Sequence, residues 1–370
     1  MSALRQAGQP GMSQLESLAR SDVRALPLYA PDEGKCDVDV SDNTNLWGTP
    51  PAALRAIREL AASPARYPSL YGAPLKSALH RYVGVEGVAF VTGCGSDDVI
   101  DCAMRAFGVP GDAIAFAAPT FSMVPVFARI NGLEPIGVPF ADDWDVDPEA
   151  LLATGAKLIY LCAPNNPTAT PVSRAAIEHV VERARGIVIL DEAYAEFAKE
   201  THADLIARSD RLLVVRTFSK AFGLAGVRVG YGVGAPSLVG VVERARGPYK
   251  LNVLAEHAAV AALGEGPDAL EWVRAHAKLA VENRQRLLAS LRADGLSPLA
   301  SDANFVFVPT TDAGAIGRRM IERGVLVRSM RGLDTNHPTL RESGGQGLRI
   351  GVGPWEQMER VLTALHQALT

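Results

Sequence analysis

Several features that mark other classes of protein are missing from this chain of 370 residues. Its four cysteines (Cys36, Cys94, Cys102 and Cys162) form neither a CxxC pair nor a cluster with histidine, so no zinc or redox motif is indicated. No apolar run approaches the roughly 18 residues of a membrane-spanning helix, and we find no apolar leader at the N-terminus. We therefore expect a cytoplasmic protein with reduced thiols and no membrane partner.

A block of like charges is also missing. The chain has 37 lysine and arginine residues against 41 aspartate and glutamate residues, and its net charge is −4. A nucleic-acid-binding protein would need a basic cluster, so we expect no nucleic acid partner. The seven histidines follow no metal-ligand spacing, and no metal site is predicted. What is present, 48% hydrophobic and 21% charged residues, is typical of a soluble enzyme-sized protein.

Short apolar runs separated by helical patterns fill the chain from about residue 53 to residue 270. The predicted strands are Gly87–Val91, Ala113–Ala118, Leu158–Cys162, Ile187–Leu190 and Leu212–Val215. These strands lack polar alternation and are separated by predicted helices, one of them at 96–107. This pattern indicates an α/β fold with a mainly parallel sheet that is buried on both faces.

The two ends of the chain differ from this middle part. The first 40 residues are polar and punctuated by proline and glycine, which predicts an arm. The last hundred residues combine a long helical pattern at 278–291 with strands at 304–308, 324–327 and 348–350 and a closing helix at 354–369. We predict three parts: 1–46 as an N-terminal arm and part of a small domain, 47–270 as the large domain, and 271–370 as the small C-terminal domain.

Polar or aromatic side chains follow each of the five strands of the large domain. In an open α/β sheet, ligands bind beyond the carboxyl ends of the strands, so we expect these groups at one edge. In chain order they are Gly95, Ser96 and Asp97; Phe121; Asn166; Asp191 and Tyr194; and Thr217, Ser219, Lys220 and Arg228. Each alone has an ordinary structural explanation, such as a capped turn or a core phenylalanine. Their chemical complementarity points to a common ligand.

One ligand matches this set: an aromatic heterocycle that carries a phosphate, a phenolic oxygen, a basic ring nitrogen and an aldehyde. That description fits pyridoxal 5′-phosphate. Lys220 would form a Schiff base with the aldehyde, while neighbouring hydroxyls and Arg228 bind the phosphate and lower the pKa of the amine. The set defines the cofactor and leaves the substrate open.

The motifs P-N-N-P-T, D-E-A-Y and S-K-A-F-G-L-A-G-V-R-V-G occur in this order. Together they resemble the fold-type I pyridoxal-phosphate-dependent aminotransferases of class I/II, and most closely the histidinol-phosphate aminotransferase group. The resemblance runs from about Val23 to the C-terminus. It implies a three-layer large domain with a mainly parallel sheet, a smaller α/β domain, and a homodimer.

The resemblance assigns roles to the residues at the strand ends. It makes Lys220 the catalytic lysine that binds the cofactor, and Asp191 the carboxylate that holds the ring nitrogen protonated. Tyr194 and Asn166 would contact the phenolic oxygen, and Phe121 would stack on the ring. The implied phosphate site comprises Gly95, Ser96, Asp97, Thr217, Ser219, Arg228 and Tyr67 of the partner subunit.

Four further residues are implied in substrate binding. Arg349 matches the arginine that binds the α-carboxylate, where a bidentate guanidinium is better suited than a lysine. Arg328 matches a residue that meets a substrate phosphate, and Tyr29 belongs to the same pocket. Asn45 keeps a position of the family's N-E-N-P-x-G segment. The chain departs from the family pattern at Thr44, Leu46, Ala169 and the long polar stretch 334–345.

The predicted reaction moves an amino group from an amino donor, best L-histidinol phosphate, to 2-oxoglutarate. Because one cofactor serves two half-reactions, the kinetics would be ping-pong. Other enzyme readings of the same scaffold are an aminotransferase for aromatic or other amino acids, a phosphothreonine decarboxylase-like enzyme, and a cofactor-dependent cyclase. A non-enzymatic sensor that binds pyridoxal phosphate is disfavoured, because only about forty residues precede the scaffold where such a sensor needs a DNA-binding domain.

Overall fold

The computed structural model describes residues 17–28, 30, 33–60 and 64–370. Residues 1–30 form one unit, in which the short helix Ser21–Arg24 is described, and residues 31–370 form the other. Tyr29, which the sequence implicates in substrate binding, lies outside the described residues.

The strands of this second unit build one large and two small sheets. The strands are β1 (Val38–Asp39), β2 (Ala89–Gly93), β3 (Ala113–Ala118), β4 (Glu134–Pro139), β5 (Leu158–Cys162), β6 (Ile187–Asp191), β7 (Leu212–Thr217), β8 (Gly230–Gly234), β9 (Phe305–Pro309), β10 (Val325–Leu326), β11 (Arg328–Met330) and β12 (Gly347–Gly351).

Helices cover the sheets and connect their strands. The α-helices span Pro51–Leu60, Ala73–Val83, Ser96–Phe107, Met123–Ile130, Pro148–Ala153, Arg174–Arg183, Pro236–Arg246, Val253–Ala262, Leu270–Ala293, Ala313–Ile321, Pro338–Glu342 and Trp355–Leu369. Shorter 3₁₀-helices span Ala195–Phe197, Ala203–Arg208 and Ala225–Val227.

The large sheet has seven strands in the order β2–β8–β7–β6–β5–β3–β4. Neighbours from β7 to β4 are parallel, whereas β8 runs antiparallel to both β2 and β7. The predicted mainly parallel sheet is therefore confirmed. Strands β3 and β5 have the predicted bounds, and the bounds of β2, β6 and β7 differ from the prediction by at most two residues.

Both faces of this sheet are buried, which explains its apolar strands. Along β5, Ile159 and Leu161 pack into one core with the helices at 73–83, 174–183 and 253–262. Tyr160 and Cys162 point the other way, into a core with the helices at 96–107 and 236–246. Each fully buried aliphatic side chain stabilises the fold by about 1.5–3 kcal/mol. This arrangement gives the three layers that the resemblance implied.

Strands β4 and β8 were not predicted from the sequence. Strand β8 reads G-Y-G-V-G, and glycine is depleted from strands because it adds no side-chain packing. A Cβ atom at Gly230 would lie 2.3 Å from the backbone nitrogen of Ser96, so the close approach of the helix Ser96–Phe107 requires glycine there. Strand β4 lies at the sheet edge and contains Pro135 and Pro139, which makes a strand hard to predict.

The C-terminal part forms a smaller core. Strands β11, β12 and β9 make an antiparallel sheet, and β1 pairs in parallel with β10. The strand predicted at 324–327 is replaced by the short strands β10 and β11, and the long helix begins at Leu270 rather than at residue 278. The division of the chain at residues 47 and 271 stays a prediction.

Among the helices described here, none is both long and apolar enough to cross a membrane.

Candidate active site

The strand ends of the large sheet bring the predicted site residues to one edge. Thr217 at the end of β7 pairs with Gly230 of β8, which pairs in turn with Gly93 at the end of β2. Asp191 at the end of β6 is in register with Cys162 of β5 and Val215 of β7. The loops that follow these positions therefore start side by side, at the edge where α/β sheets bind ligands.

Lys220 lies in the loop that follows β7. Its Nζ donates a hydrogen bond to the carbonyl oxygen of Asp42 at 3.0 Å and lies 5.9 Å from the centre of the Tyr194 ring. Burial, followed by the positive charge of Arg349, lowers the pKa of this amine from 10.5 to about 8. A lysine with this pKa is neutral, and so nucleophilic, in a far larger fraction of molecules than an ordinary surface lysine.

Asp191 is a buried carboxylate, with 4% of its surface exposed. One oxygen accepts a hydrogen bond from the hydroxyl of Tyr160 at 2.7 Å, and the other accepts from the backbone N–H of Ala193 at 3.0 Å. Burial raises the pKa of Asp191 to about 6, although both hydrogen bonds favour the ionised form. These two donors are uncharged, so a cation placed against Asp191 would stabilise its negative charge.

An anion cradle lies near Lys220, whose pKa responds to the charges of Asp97 and Arg228. We use this name for Gly95, Ser96, Asp97, Thr217, Ser219 and Arg228. The Nη2 atom of Arg228 lies 3.3 Å from Oδ2 of Asp97. Gly95 has φ +86°, and a Cβ atom there would lie 2.7 Å from the same Nη2. The backbone conformation therefore favours glycine at this position, and a Cβ atom there would push the end of the Arg228 side chain aside.

Hydroxyls and a helix N-terminus complete the anion cradle. The backbone N–H of Ser219 donates to Oγ1 of Thr217 at 3.1 Å, and the Thr217 hydroxyl donates to Oγ of Ser219 at 3.0 Å. The helix Ser96–Phe107 begins at the cradle after Gly95, which supplies no capping side chain. A phosphate placed here could accept hydrogen bonds from the first N–H groups of this helix, from the two hydroxyls and from the guanidinium of Arg228.

Tyr194 is buried beside Lys220. Its hydroxyl accepts a hydrogen bond from Nδ2 of Asn43 at 3.2 Å. Asn43 itself has φ +54°, and its carbonyl oxygen accepts from Nδ2 of Asn304 at 3.0 Å. Burial raises the pKa of Tyr194, so the phenol stays protonated. It can therefore donate a hydrogen bond to an oxygen atom of a ligand.

Arg349, on β12, joins the small antiparallel sheet to the edge of the large sheet. Its Nη1 donates to Oδ1 of Asn166 at 2.9 Å, and its Nη2 donates to the carbonyl oxygen of Ser41 at 2.7 Å. Asn166 follows β5, as predicted, and is 9% exposed. Arg349, which is predicted to bind the substrate carboxylate, is therefore hydrogen-bonded to Asn166, which is predicted to contact the phenolic oxygen of the cofactor.

Arg328, on β11, is the residue directly opposite Arg349 on β12. Residues that face each other on antiparallel strands point to the same face of the sheet, so the two guanidinium groups share one side. The Nη2 of Arg328 donates to Oδ1 of Asp42 at 2.5 Å. Residues 41–43, here named the 41–43 segment, thus contact Lys220, Tyr194, Arg328 and Arg349.

The remaining predicted residues lie around this centre. Phe121 is partly buried and packs against the core that contains Tyr160 and Cys162. Tyr67 is 82% exposed, stacks on Tyr249 at 4.7 Å between ring centres, and lines with Arg228 a cleft of about 670 Å³. The side chain of Asn45 donates to the carbonyl oxygen of Ala221 at 2.8 Å and accepts from the N–H of Trp47 at 2.9 Å. Asn45 therefore holds the loop beside Lys220, and its role in substrate binding stays a prediction.

Sequence reasoning missed Tyr160 and the 41–43 segment. Tyr160 carries the one polar side-chain group of the run L-I-Y-L, and a buried phenol has to find a hydrogen-bond partner, which was a usable signal. The S-D-N of the 41–43 segment indicates only a turn. Its partners in the site lie 151 to 308 residues away along the chain.

Comparisons with known proteins agree with this geometry. Residues 33–365 match the family described as Aminotransferase class I and II. A histidinol-phosphate aminotransferase of Methylibium petroleiphilum is 39% identical over 377 residues, which cover 98% of this chain and 98% of that protein. Another, of Desulfitobacterium hafniense, is 34% identical and covers 96% of this chain and 98% of that protein.

Solved structures show the same fold. The crystal structure of histidinol-phosphate aminotransferase from Sinorhizobium meliloti in complex with pyridoxal 5′-phosphate matches with a TM-score of 0.82 and 27% identity, over 95% of this chain and 98% of that chain. An aspartate aminotransferase from Thermus thermophilus with maleate has a TM-score of 0.74 at 20% identity, over 90% and 92% of the two chains, and shares the fold. The predicted fold-type I architecture is thus confirmed, and the chain belongs to the class I and II aminotransferase family.

Proposed function

We propose that this chain is a cytoplasmic, pyridoxal-phosphate-dependent transaminase that moves the amino group of L-histidinol phosphate to 2-oxoglutarate. The proposal is supported by two full-length relatives that are named histidinol-phosphate aminotransferase, at 39% and 34% identity. A third protein of that name, at 27% identity, was solved with pyridoxal 5′-phosphate. The residues at the edge of the large sheet supply an independent argument.

These residues fit the cofactor on chemical grounds. The anion cradle, with its bare Gly95 and the guanidinium of Arg228, suits a phosphate. Asp191 is a buried carboxylate with uncharged donors, and a protonated ring nitrogen would supply the missing cation. Lys220 would hold the aldehyde and Tyr194 the phenolic oxygen, with Asn166 and Phe121 completing the ring site.

When bound, the cofactor supplies an electron sink for the negative charge that develops on the substrate Cα. Once the substrate amine has replaced it on the aldehyde, the freed Lys220 Nζ, whose pKa is lowered to about 8, would take the proton from this carbon atom. Tyr194 remains protonated because burial raises its pKa, so it acts as a fixed hydrogen-bond donor. Asp191 keeps its position through Tyr160 and Ala193, which orient the carboxylate before any ligand arrives.

The opposed arginines bind the charged group of each substrate. L-Histidinol phosphate carries its phosphate ester on the carbon next to Cα, where an amino acid carries its carboxylate. The phosphate dianion would bind Arg328 and Arg349 together, and the α-carboxylate of the acceptor would bind Arg349. The register that sets these two residues side by side is the single observation that carries the choice of a phosphorylated donor.

A homodimer is part of the proposal. Several large side chains of the described residues are exposed, among them Tyr67, Leu70, Tyr71 and Tyr249. Tyr67 and Tyr249 also line the cleft that contains Arg228. Burying these rings against a second copy would explain their exposure in one chain and would bring Tyr67 to the partner's cradle, as the resemblance implies.

The donor is tested by mixing the cofactor-loaded protein with L-histidinol phosphate in the absence of an acceptor. We expect the absorbance of the cofactor to change to that of its amine form in one turnover, and 2-oxoglutarate to reverse the change with formation of glutamate. L-Histidinol, which lacks only the phosphate, is the matched control and should react with a kcat/KM roughly 10- to 100-fold lower. If L-histidinol phosphate gives no change while an aromatic amino acid does, the proposed donor is wrong.

A further inference from the structure

Asp42 carries a charge that the proposed reaction does not use. Its Oδ1 accepts a hydrogen bond from Nη2 of Arg328 at 2.5 Å. The side chain of Arg328 is 10% exposed, whereas that of Asp42 is 57% exposed. The guanidinium is therefore fixed within the protein, and the carboxylate reaches it from the solvent side of the pair.

The backbone around Asp42 is held by several hydrogen bonds. The carbonyl oxygen of Ser41 accepts from Arg349 at 2.7 Å, that of Asp42 accepts from Lys220 at 3.0 Å, and that of Asn43 accepts from Asn304 at 3.0 Å. Rotation of the Asp42 side chain into solvent breaks none of these backbone contacts. The carboxylate can therefore leave Arg328 without movement of the 41–43 segment.

The charges at this place suit two different anions. With Asp42 on Arg328, the group of Arg328, Arg349 and Asp42 carries a net charge of +1, which matches a monoanionic carboxylate. With Asp42 turned into solvent, the charge at this place becomes more positive by one unit, which favours a phosphate dianion over a singly charged carboxylate. A transaminase of the proposed kind has to bind both anions at one site, because donor and acceptor use it in turn.

We propose that Asp42 is a displaceable counter-ion that sets the substrate selectivity of the site: it stays on Arg328 when a carboxylate substrate binds and is displaced when a phosphorylated donor binds. This inference rests on the proposed function for the identity of the phosphorylated donor. Asp42 thereby weakens binding of the phosphorylated donor, because the phosphate has to compete with an internal anion. When the acceptor's carboxylate is bound to Arg349, Asp42 offsets the charge of Arg328.

The test is the Asp42→Asn variant, which removes the charge and keeps the backbone carbonyl that faces Lys220. We expect the KM for L-histidinol phosphate to fall about three- to sixfold, as loss of a half-exposed competing ion pair predicts. The KM for 2-oxoglutarate should change by a smaller factor, and the gain should appear in KM rather than in kcat. In an Arg328→Ala background, Asp42→Asn should leave the KM for the phosphorylated donor unchanged, because no guanidinium remains to be released.

Asp37→Asn is a matched control. Asp37 also pairs with an arginine, Arg360, at 2.9 Å, and its side chain is 73% exposed. The control changes the net charge of the protein equally, so it should leave the ratio of the two KM values unaltered. The proposal is overturned if Asp42→Asn leaves the KM for L-histidinol phosphate unchanged, raises it, or lowers both KM values by the same factor. A wild-type protein that does not use L-histidinol phosphate would instead remove the proposed function, so the two failures are distinguishable.

Discussion

Arg328 and Arg349 face each other on the neighbouring antiparallel strands β11 and β12, with their guanidinium groups on the same side of the sheet. Two like charges at opposed positions destabilise a strand pair unless each has an acceptor. Arg349 donates to Asn166 and to the carbonyl oxygen of Ser41, and Arg328 donates to Asp42. An anion that binds between the two arginines relieves the remaining repulsion.

Arg349→Lys tests the need for a guanidinium at this position. Lysine keeps the charge but cannot bind a carboxylate with two parallel hydrogen bonds while also contacting Asn166 and Ser41. The loss of hydrogen bonds to a charged group costs about 2–3 kcal/mol, so kcat/KM for donor and acceptor should fall roughly 30- to 150-fold. Steady-state kinetics measure the effect, and Arg319→Lys, at an exposed helical position, is the control. Equal kcat/KM in Arg349→Lys and wild type would argue against the assigned role.

Without the cofactor, the stability of Asp191→Asn relative to wild type should rise with pH. The pKa of Asp191 is raised from 3.8 to about 6 because the folded protein buries the charge. The folded state thus binds this proton more tightly than the unfolded chain, and stability is lost as the pH rises from about 4 through 6. The free energy of unfolding of Asp191→Asn minus that of wild type should therefore increase by up to about 3 kcal/mol between pH 4 and pH 7. Urea unfolding at the two pH values measures this, and a difference that stays constant with pH would contradict it.

Tyr160→Phe should shift the pH dependence of cofactor binding. The Tyr160 hydroxyl donates to Asp191 at 2.7 Å and lowers the pKa of that carboxyl. Without this donor the pKa of Asp191 rises, so the ionised form that pairs with the ring nitrogen is lost at a higher pH. When cofactor affinity is measured as a function of pH, the loss of affinity at acid pH should occur at a higher pH than in wild type. Tyr82→Phe removes a similar hydrogen bond, from Tyr82 to Glu196 at 2.9 Å, and should leave the pH of this loss unchanged.

Gly95→Ala should weaken cofactor binding beyond its effect on stability. The new methyl group would lie 2.7 Å from Nη2 of Arg228, so the end of this side chain has to shift away from residue 95 and its position in the anion cradle changes. Gly111→Ala is the control, since Gly111 has a similar φ of +94° with no atom within 4 Å of the added Cβ. Both variants should lose about 1 kcal/mol of folding stability from the positive φ. Only Gly95→Ala should raise the dissociation constant for the cofactor, by at least about tenfold.

The large sheet could be predicted because burial on both faces demands apolar strands. A run such as Leu158–Cys162 is visible in the sequence without knowledge of its neighbours. Strand β8 could not be predicted, because its glycines are dictated by the neighbouring strands and the helix Ser96–Phe107 that pack against it rather than by strand preference. The packing that decides such a strand is formed by distant parts of the chain.

The candidate site divides in the same way. Lys220 and Asp191 could be predicted at one edge of the sheet because Asp191 ends a strand, Lys220 follows another, and the ends of parallel strands share an edge. The contacts of Asp42 with Lys220 and Arg328 span 178 and 286 residues, and no periodicity links these positions. Asn45, chosen from its motif, uses its side chain to hold the loop at Ala221, which the motif alone did not reveal.

The central claim is that Lys220 binds the cofactor covalently at the edge of the large sheet. Reduction of the cofactor-loaded protein with borohydride, followed by peptide mass spectrometry, tests it most directly. We predict that the pyridoxyl group is found on Lys220 and that Lys220→Ala yields no labelled peptide. A label on another lysine of the wild-type protein, or a label of undiminished yield in Lys220→Ala, would contradict the account.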